Sequence, residues 1–347
     1  MDDDNQQYMP VIYQLPSINK IIVENENVRH HINAAPGLLK YGYNYIDSDM
    51  DLMSFSSNSN YKSALDISYD RVDENSIEYV INNTFGLSDP SVTDMELWEI
   101  FSLFDLVKKG CKISCQIAPD VDKLVESYSK YHHIDDVKYI PESNKVNLAI
   151  FATTHIAVDE SAHTQLILSL ISKSNLEKNG SMIVQLFGPS TAPTVQLAAF
   201  LTGYFDFAYV IKPTITSEIA QYIYLVLIKS KEPLPSLPSN LLHVPNYISD
   251  IGINVPAPID SVFVCLISQL ITKRHARYNT IKSFLSSKLY EGDAYDEYKS
   301  FQDKLVEYWK QTHLDLSKAK AELDRSVSQK QDACSVYNDI YKILDDF

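Results

Sequence analysis

Glycine, cysteine, basic charge and long apolar runs are all scarce in this 347-residue sequence. Nine glycines leave little material for a Gly-rich cradle in which backbone closely approaches a phosphate. Four cysteines (Cys111, Cys115, Cys265 and Cys334) make neither a disulfide framework nor a paired CxxC signature, so a reducing compartment is expected and no zinc site is. Thirty Lys and Arg face 45 Asp and Glu, a formal net charge of −15, so attraction to nucleic-acid phosphates cannot be a property of the whole surface. Any RNA contact must be a local patch. No apolar run reaches the roughly 18 residues of a membrane span, and Met1-Asp2-Asp3-Asp4 is acidic where a signal peptide needs basic residues. The expectation is a soluble, cytoplasmic protein with no membrane partner. GxSxG and Walker A patterns are missing, which gives hydrolase and P-loop readings no starting point.

What is present is a chain of 45% hydrophobic content, long enough for about two domains. Tyrosine is abundant at 23 residues, as on many surfaces that meet partners. Charge divides the chain. Residues 1–75 carry 5 basic and 12 acidic groups, 76–260 carry 12 and 20, and 261–347 carry 13 of each. Six of the fifteen prolines (Pro233, Pro235, Pro238, Pro245, Pro256, Pro258) crowd into Lys231–Asp260, which reads as an extended connection. The expected division is an N-terminal extension (1–75), an α/β domain (76–231), a proline-rich linker (232–260) and a helical C-terminal region (261–347).

Within 76–231, short β-branched runs alternate with segments of helical period, the pattern of a mostly parallel sheet covered by helices. Strands are expected at Ile77–Ile81, Lys112–Ile117, Val137–Ile140, Val146–Phe151, Met182–Phe187, Phe207–Ile211 and Gln221–Ile228. Helices are expected at Val92–Lys109, Val121–Tyr131, Ser161–Leu176 and Pro193–Tyr204. Thr93 with Glu96 three residues on has the form of a capping box, and Gly110 the form of a C-terminal stop. Nine residues, Lys212–Ala220, separate the last two strands, too few for a helix crossover, so these strands should pair antiparallel. A largely parallel sheet closed by an antiparallel last strand is the layout of S-adenosylmethionine (SAM) dependent methyltransferases, although other doubly wound folds share the pattern.

Beyond Asp260 the helical segments Val262–Tyr290, Tyr295–Leu314 and Leu316–Leu344 follow. The first carries Lys273, Arg274, Arg277, Lys282 and Lys288 with no Asp or Glu. It can dock on the acidic remainder of its own chain or meet RNA or a partner. Leu305, Trp309, Leu314, Leu323, Val327, Val336, Tyr337, Ile340 and Leu344 recur at helical spacing, as in a hairpin packed on itself or a surface for another subunit. The pairs His30-His31 and His132-His133 are adjacent in sequence and poorly suited to chelate one metal, and Cys111 and Cys115 suit buried positions on one side of a strand.

The stretch Asn179–Lys231 runs from a Gly through a strand, a short loop, a helix ending in an aromatic, a strand closing in Lys-Pro and a Ser/Thr-rich turn to a Tyr-containing strand. This resembles the C-terminal half of the FtsJ/RrmJ-like 2′-O-methyltransferases. The resemblance implies a Lys-Asp-Lys-Glu tetrad in which a lysine of depressed pKa helps activate a ribose hydroxyl. At the matching positions stand Ala152, where the family has its aspartate, Gln185, where it has its second lysine, and Tyr222, where it has its glutamate. Glu218 is displaced by four residues, and Lys20 or Lys40 could supply the first lysine. Three of the four functional groups are therefore missing.

For a cofactor pocket, strand order assigns the first turn to INNTFGLSD, with Gly86, and the end of the second strand to Asp120. Asp120 can accept from ribose hydroxyls or simply cap the helix that begins at Val121. The turn Ala34-Ala35-Pro36-Gly37, with Asp47 and Asp49 beyond it, copies the family's Ala-Pro-Gly turn, but the segment between is too short for the intervening helix.

The segment PGLLKYGYNYIDSDMDL is also similar to the small, regulatory subunit of the poxvirus mRNA capping enzyme, an FtsJ-like fold without catalytic residues. That resemblance implies a non-catalytic subunit, located in host cytoplasm or virion, that needs no cofactor and binds a catalytic partner in a capping or RNA-modifying complex. RNA could reach the basic helix at 262–290. The alternatives are an active SAM-dependent cap 2′-O-methyltransferase using Asp120, Glu218 and an N-terminal lysine, and a virion protein that uses the fold as scaffold.

Overall fold

In the computed structural model, the described residues are 8–24, 28–31, 91–117, 121–140, 144–152, 160–187, 189, 191–218, 220, 222–235, 237, 247–287 and 293–328. The expected strand Ile77–Ile81, Gly86, Asp120, the 34–37 turn, Lys40, Asp47, Asp49, Lys288 and the last helix beyond 328 lie outside them.

The elements in chain order are β1 (Val11–Leu15), β2 (Arg29–His31), α1 (Val92–Phe104), β3 (Lys112–Ile117), α2 (Val121–Tyr131), β4 (Lys138–Tyr139), β5 (Val146–Ala152) and α3 (Glu160–Ser172). They continue with β6 (Leu176–Phe187), α4 (Ala192–Thr202), β7 (Phe205–Lys212), β8 (Tyr222–Ser230), β9 (Tyr247–Asp250), α5 (Ala257–Ser287), α6 (Asp293–His313) and a helix α7 over 316–328. Seven strands form one sheet in the order β1-β7-β8-β6-β5-β3-β4. β4, β3, β5 and β6 pair parallel, whereas β8 pairs antiparallel with both β6 and β7, and β1 antiparallel with β7. It follows that β7 points the same way as the four parallel strands, and only β8 and β1 are reversed. A reversed strand inserted between two strands of common direction is what the short β7–β8 link requires, since that hairpin must turn back on itself. The fold is the expected Rossmann-like methyltransferase sheet, covered by helices on both faces.

Alternation along each strand separates two cores. Val146, Phe151, Met182, Val184, Leu186, Ile223, Leu225 and Leu227 face α3, α4 and α5. Leu148, Ile150, Ala152, Ile183, Tyr224 and Val226 face α1, α2 and α6. Because both faces are covered, central strands such as LVLI in β8 are apolar throughout rather than alternating.

Several expectations need correction. Helix α1 ends at Phe104, not Lys109, because Asp105 adopts the left-handed conformation (φ 49°) that terminates it; Gly110, at φ 77°, belongs to the following turn. Its capping box is Ser91 with Asp94, one pair earlier than Thr93 with Glu96: Asp94 N–H donates to Ser91 Oγ at 3.2 Å and Ser91 N–H to Asp94 Oδ2 at 2.8 Å. Strand β6 starts six residues before Met182, its pairing with β5 interrupted where Val146 opposes Leu176 and Leu148 opposes Ser181. The N-terminal stretch supplies an edge strand of the main sheet, with Val11 opposite Lys212, and Tyr13 Oη donates to Gln269 of α5 at 3.0 Å. The proline-rich stretch is more than a connection, because β9 within it pairs antiparallel with β2, and its last residues are helical, since α5 already starts at Ala257. The C-terminal helices do not pack only on one another: α5 covers one face of the sheet and α6 with α7 covers the other.

Candidate functional site

Chain direction reverses at one place in the parallel part of the sheet. From β3 the chain moves outward to β4, whereas from β5 it moves the other way to β6, so the crevice beyond Ile117 and Ala152 is the topological switch point where ligands of open α/β sheets bind. β3 pairs with β4 through Lys112 and Ile113, and with β5 through Ile113–Ile117. Of the described strands, β3 and β5 end side by side at the switch point, and the turns that hold Gly86 and Asp120 lie outside the described residues.

The positions that match the tetrad lie on the α1 face. Ala152, fully buried, follows Phe151, which pairs with Val184; Gln185 is next along β6 and pairs with Tyr224; Tyr222 pairs with Phe187. In place of a lysine and two acids, this face holds a carboxylate that sequence reading assigned elsewhere. Glu96 of α1 is fully buried and accepts from Thr216 Oγ1 at 2.5 Å, Tyr222 Oη at 2.8 Å and Tyr224 Oη at 2.6 Å. Gln185 Nε2 donates in turn to Tyr224 Oη at 3.3 Å. One turn along α1, Glu99 is equally buried and accepts from the Thr214 backbone at 2.8 Å, Thr214 Oγ1 at 2.9 Å and Trp309 Nε1 at 3.1 Å.

Burial dominates the electrostatics. It raises the Glu96 carboxyl against the hydroxyl bonds from Thr216, Tyr224 and Tyr222, and raises Glu99 to about 8 against its bonds from Thr214 and Trp309. The Tyr224 hydroxyl is held well above its usual range by burial and then by Glu96. His313, fully buried with Nε2 3.7 Å from Glu99, is pushed down to about 3 by burial, and neither ring nitrogen makes a hydrogen bond. The approach is thus between a neutral imidazole and a largely protonated carboxyl, and is no ion pair. Donors from the β7–β8 link, β8 and α6 converge on two acids of α1 that water does not reach, so the cluster clamps elements together and offers no route to a substrate.

The remaining candidates are scattered. Lys20 makes an ion pair with Glu232, past the end of β8 opposite to Tyr222, about 27 Å away along a strand of that length. Glu218 is half-buried and shares a small recess with Lys212, Thr216 and Lys273. Of the basic residues in α5, Arg274 is 1% exposed and cannot be an RNA contact, which corrects its assignment, while Lys273 and Arg277 are half-buried and Lys282 lies in the helix. Cys111 and Cys115 are buried in one core, as expected. Among the described residues no group of three His, Cys, Asp or Glu could hold a metal, and no helix is long and apolar enough to cross a membrane. The signal missed was the position of Glu96 and Glu99 inside an otherwise apolar helix, VTDMELWEIFSLF, where few charged residues can be solvated.

No protein-family model matches the chain. Among solved structures, the fibrillarin pre-rRNA processing protein of Methanococcus jannaschii is similar at 10% identity and a TM-score of 0.22, over 37% of this chain and 70% of that one. So slight a likeness bears no weight beside the strand order itself. Among curated proteins, "Uncharacterized protein R383" of Acanthamoeba polyphaga mimivirus is 32% identical over 349 residues, spanning 94% of this chain and 97% of the viral one. Identity sustained over nearly the full length of both places the chain in the same family as that mimivirus protein.

Proposed function

We propose that this protein is a methyltransferase-fold subunit without methyltransferase chemistry, which binds and stabilises or stimulates a catalytic partner in a viral mRNA-capping or RNA-modifying complex. One observation carries the reading. Where FtsJ-like enzymes would bring an amine and a carboxylate to a ribose hydroxyl, Gln185, Tyr224 and Tyr222 close around Glu96 with no solvent contact to that acid. An amide cannot act as the base, and a carboxyl raised by burial and enclosed by hydroxyls cannot meet substrate. The viral relative fits a viral setting. Stimulation is bounded by the subunit's preference for the partner's active state, and a few kcal/mol suffices.

The test is purification of the tagged chain from the source in which it is made, followed by RNA methyl-transfer and guanylyl-transfer assays on the captured partner with and without the chain, alongside calorimetry with SAM. The expected result is a partner whose activity falls at least about fivefold when the chain is removed, a coupling of about 1 kcal/mol. Tight SAM binding and methyl transfer to capped RNA by the isolated chain would overturn the reading.

A further inference from the structure

At the end of the strands opposite to the switch point lies a groove of about 340 Å³. It is lined by Lys108, Lys109 and Lys229, with Asn147, Asn179 and Ser181 as further polar groups, and Asp105 is the one acid among the described lining residues. Three cations against one anion is a local reversal in a chain of net charge −15. Lys108 contacts Asp105 at 3.0 Å and Lys109 contacts Asp135 at 3.9 Å, but the two lysine side chains are 67% and 77% exposed, and ion pairs so open to water hold their partners weakly. Both remain available to a polyanion.

The backbone here has an unusual shape. Asp105, Gly110, Asn179 and Lys229 all have positive φ, four of the seven such residues among those described, and all four line this groove. Gly, Asp and Asn tolerate that conformation, whereas Lys229 carries a side chain that disfavours it. At Lys229 the effect is directional: although it lies within β8, its Nζ stands over the ring of Phe207 at 5.6 Å. Phe207 is 41% exposed, among the few large apolar side chains the described surface shows. A cation over a ring that is still 41% exposed, beside a lysine-lined groove, combines phosphate attraction with an aromatic surface for a base.

We infer that this groove binds a segment of single-stranded RNA, with phosphates along Lys108, Lys109 and Lys229 and a base stacked on Phe207. The net charge of −15 would repel the strand from much of the surface and concentrate its approach on a groove of opposite sign. The sequence pointed to α5 for RNA because its basic residues stand in one segment without Asp or Glu, whereas here the sheet gathers Lys108 and Lys109 with the distant Lys229. The inference is independent of the proposed function, since it involves neither the buried acids nor the switch-point crevice.

The test is fluorescence anisotropy of a short labelled oligouridylate with the full chain at several salt concentrations, with inorganic phosphate and uridine monophosphate as competitors. The expected log–log salt slope is about −2, from about 0.7 per phosphate at three lysines. Lys108→Glu with Lys109→Glu should weaken binding at least about tenfold at low salt, and Phe207→Ala about tenfold with little change in slope. Lys229→Asn removes a charge while Asn still tolerates positive φ, so it separates loss of binding from loss of fold, which far-UV circular dichroism checks. Unchanged affinity in the double lysine variant, or full displacement by inorganic phosphate at the concentration of phosphate groups in the RNA, would overturn the inference.

Discussion

Burying two glutamates three positions apart on one helix face makes their protons part of the folded state. Glu99, at about 8 when folded and near 4.5 when unfolded, binds more proton in the folded chain between those values, so stability falls as pH rises through that window. One such group contributes a slope of at most about 1.4 kcal/mol per pH unit, and Glu96 acts in the same direction. His313 works oppositely: its stabilising contribution is complete above 6.5 and is lost as pH falls toward 3. The two slopes oppose one another from 4.5 to 6.5, so the glutamates act clear of His313 only above 6.5. Urea denaturation midpoints should therefore decline for the parent between pH 6.5 and 8, and decline less for Glu99→Gln; parallel curves would show that Glu99 is already ionised in the folded chain. Tyr224→Phe takes a donor from Glu96 and an acceptor from Gln185, both buried, and should cost about 1–3 kcal/mol. Sequence alone did not reveal this cluster, because a glutamate in the first turns of a helix has an ordinary reading as a cap and only the facing tyrosines show otherwise.

Elements were legible wherever periodicity and a terminating residue agreed. The bounds of β3 and α2 are as the sequence suggested, since IleSerCysGlnIle alternates cleanly and Val121, Leu124, Val125 and Tyr128 form one buried stripe. Strand β1 was unreadable for a physical reason. Five residues at a sheet edge earn their conformation from β7, whose exposed hydrogen-bonding groups cannot be inferred from VIYQL itself. The same pairing protects β7. A chain lacking residues 1–15 would present β7 as a bare edge that includes Val210 and Ile211, and is expected to elute partly as aggregate in size-exclusion chromatography while the full chain does not. At the start of α1, Ser91→Ala should lower stability by about 1 kcal/mol, because the box uses Ser91 Oγ and not Thr93.

For the whole molecule, the order of elements along the chain misrepresents their grouping in space. Composition divides off residues 261–347 as a region of balanced charge, yet α5 and α6 lie on opposite faces of one sheet, and α6 shares a core with α1 from the start of the described α/β unit. The two tryptophans make this grouping measurable. Trp98 of α1 donates to the His313 carbonyl at 3.3 Å, and Trp309 of α6 donates to Glu99 of α1, so both indoles sit where the C-terminal helices meet the sheet layer. Their fluorescence reports the docking of α6, whereas far-UV circular dichroism reports all helices and strands. If the C-terminal helices belong to the same cooperative unit, urea transitions followed by the two probes should coincide. A fluorescence change at lower urea than the loss of ellipticity would mean that α6 leaves before the sheet melts. Trp309→Ala should shift both transitions together, by about 3–5 kcal/mol, because it empties a fully buried site shared by α1 and α6 and strips a donor from Glu99.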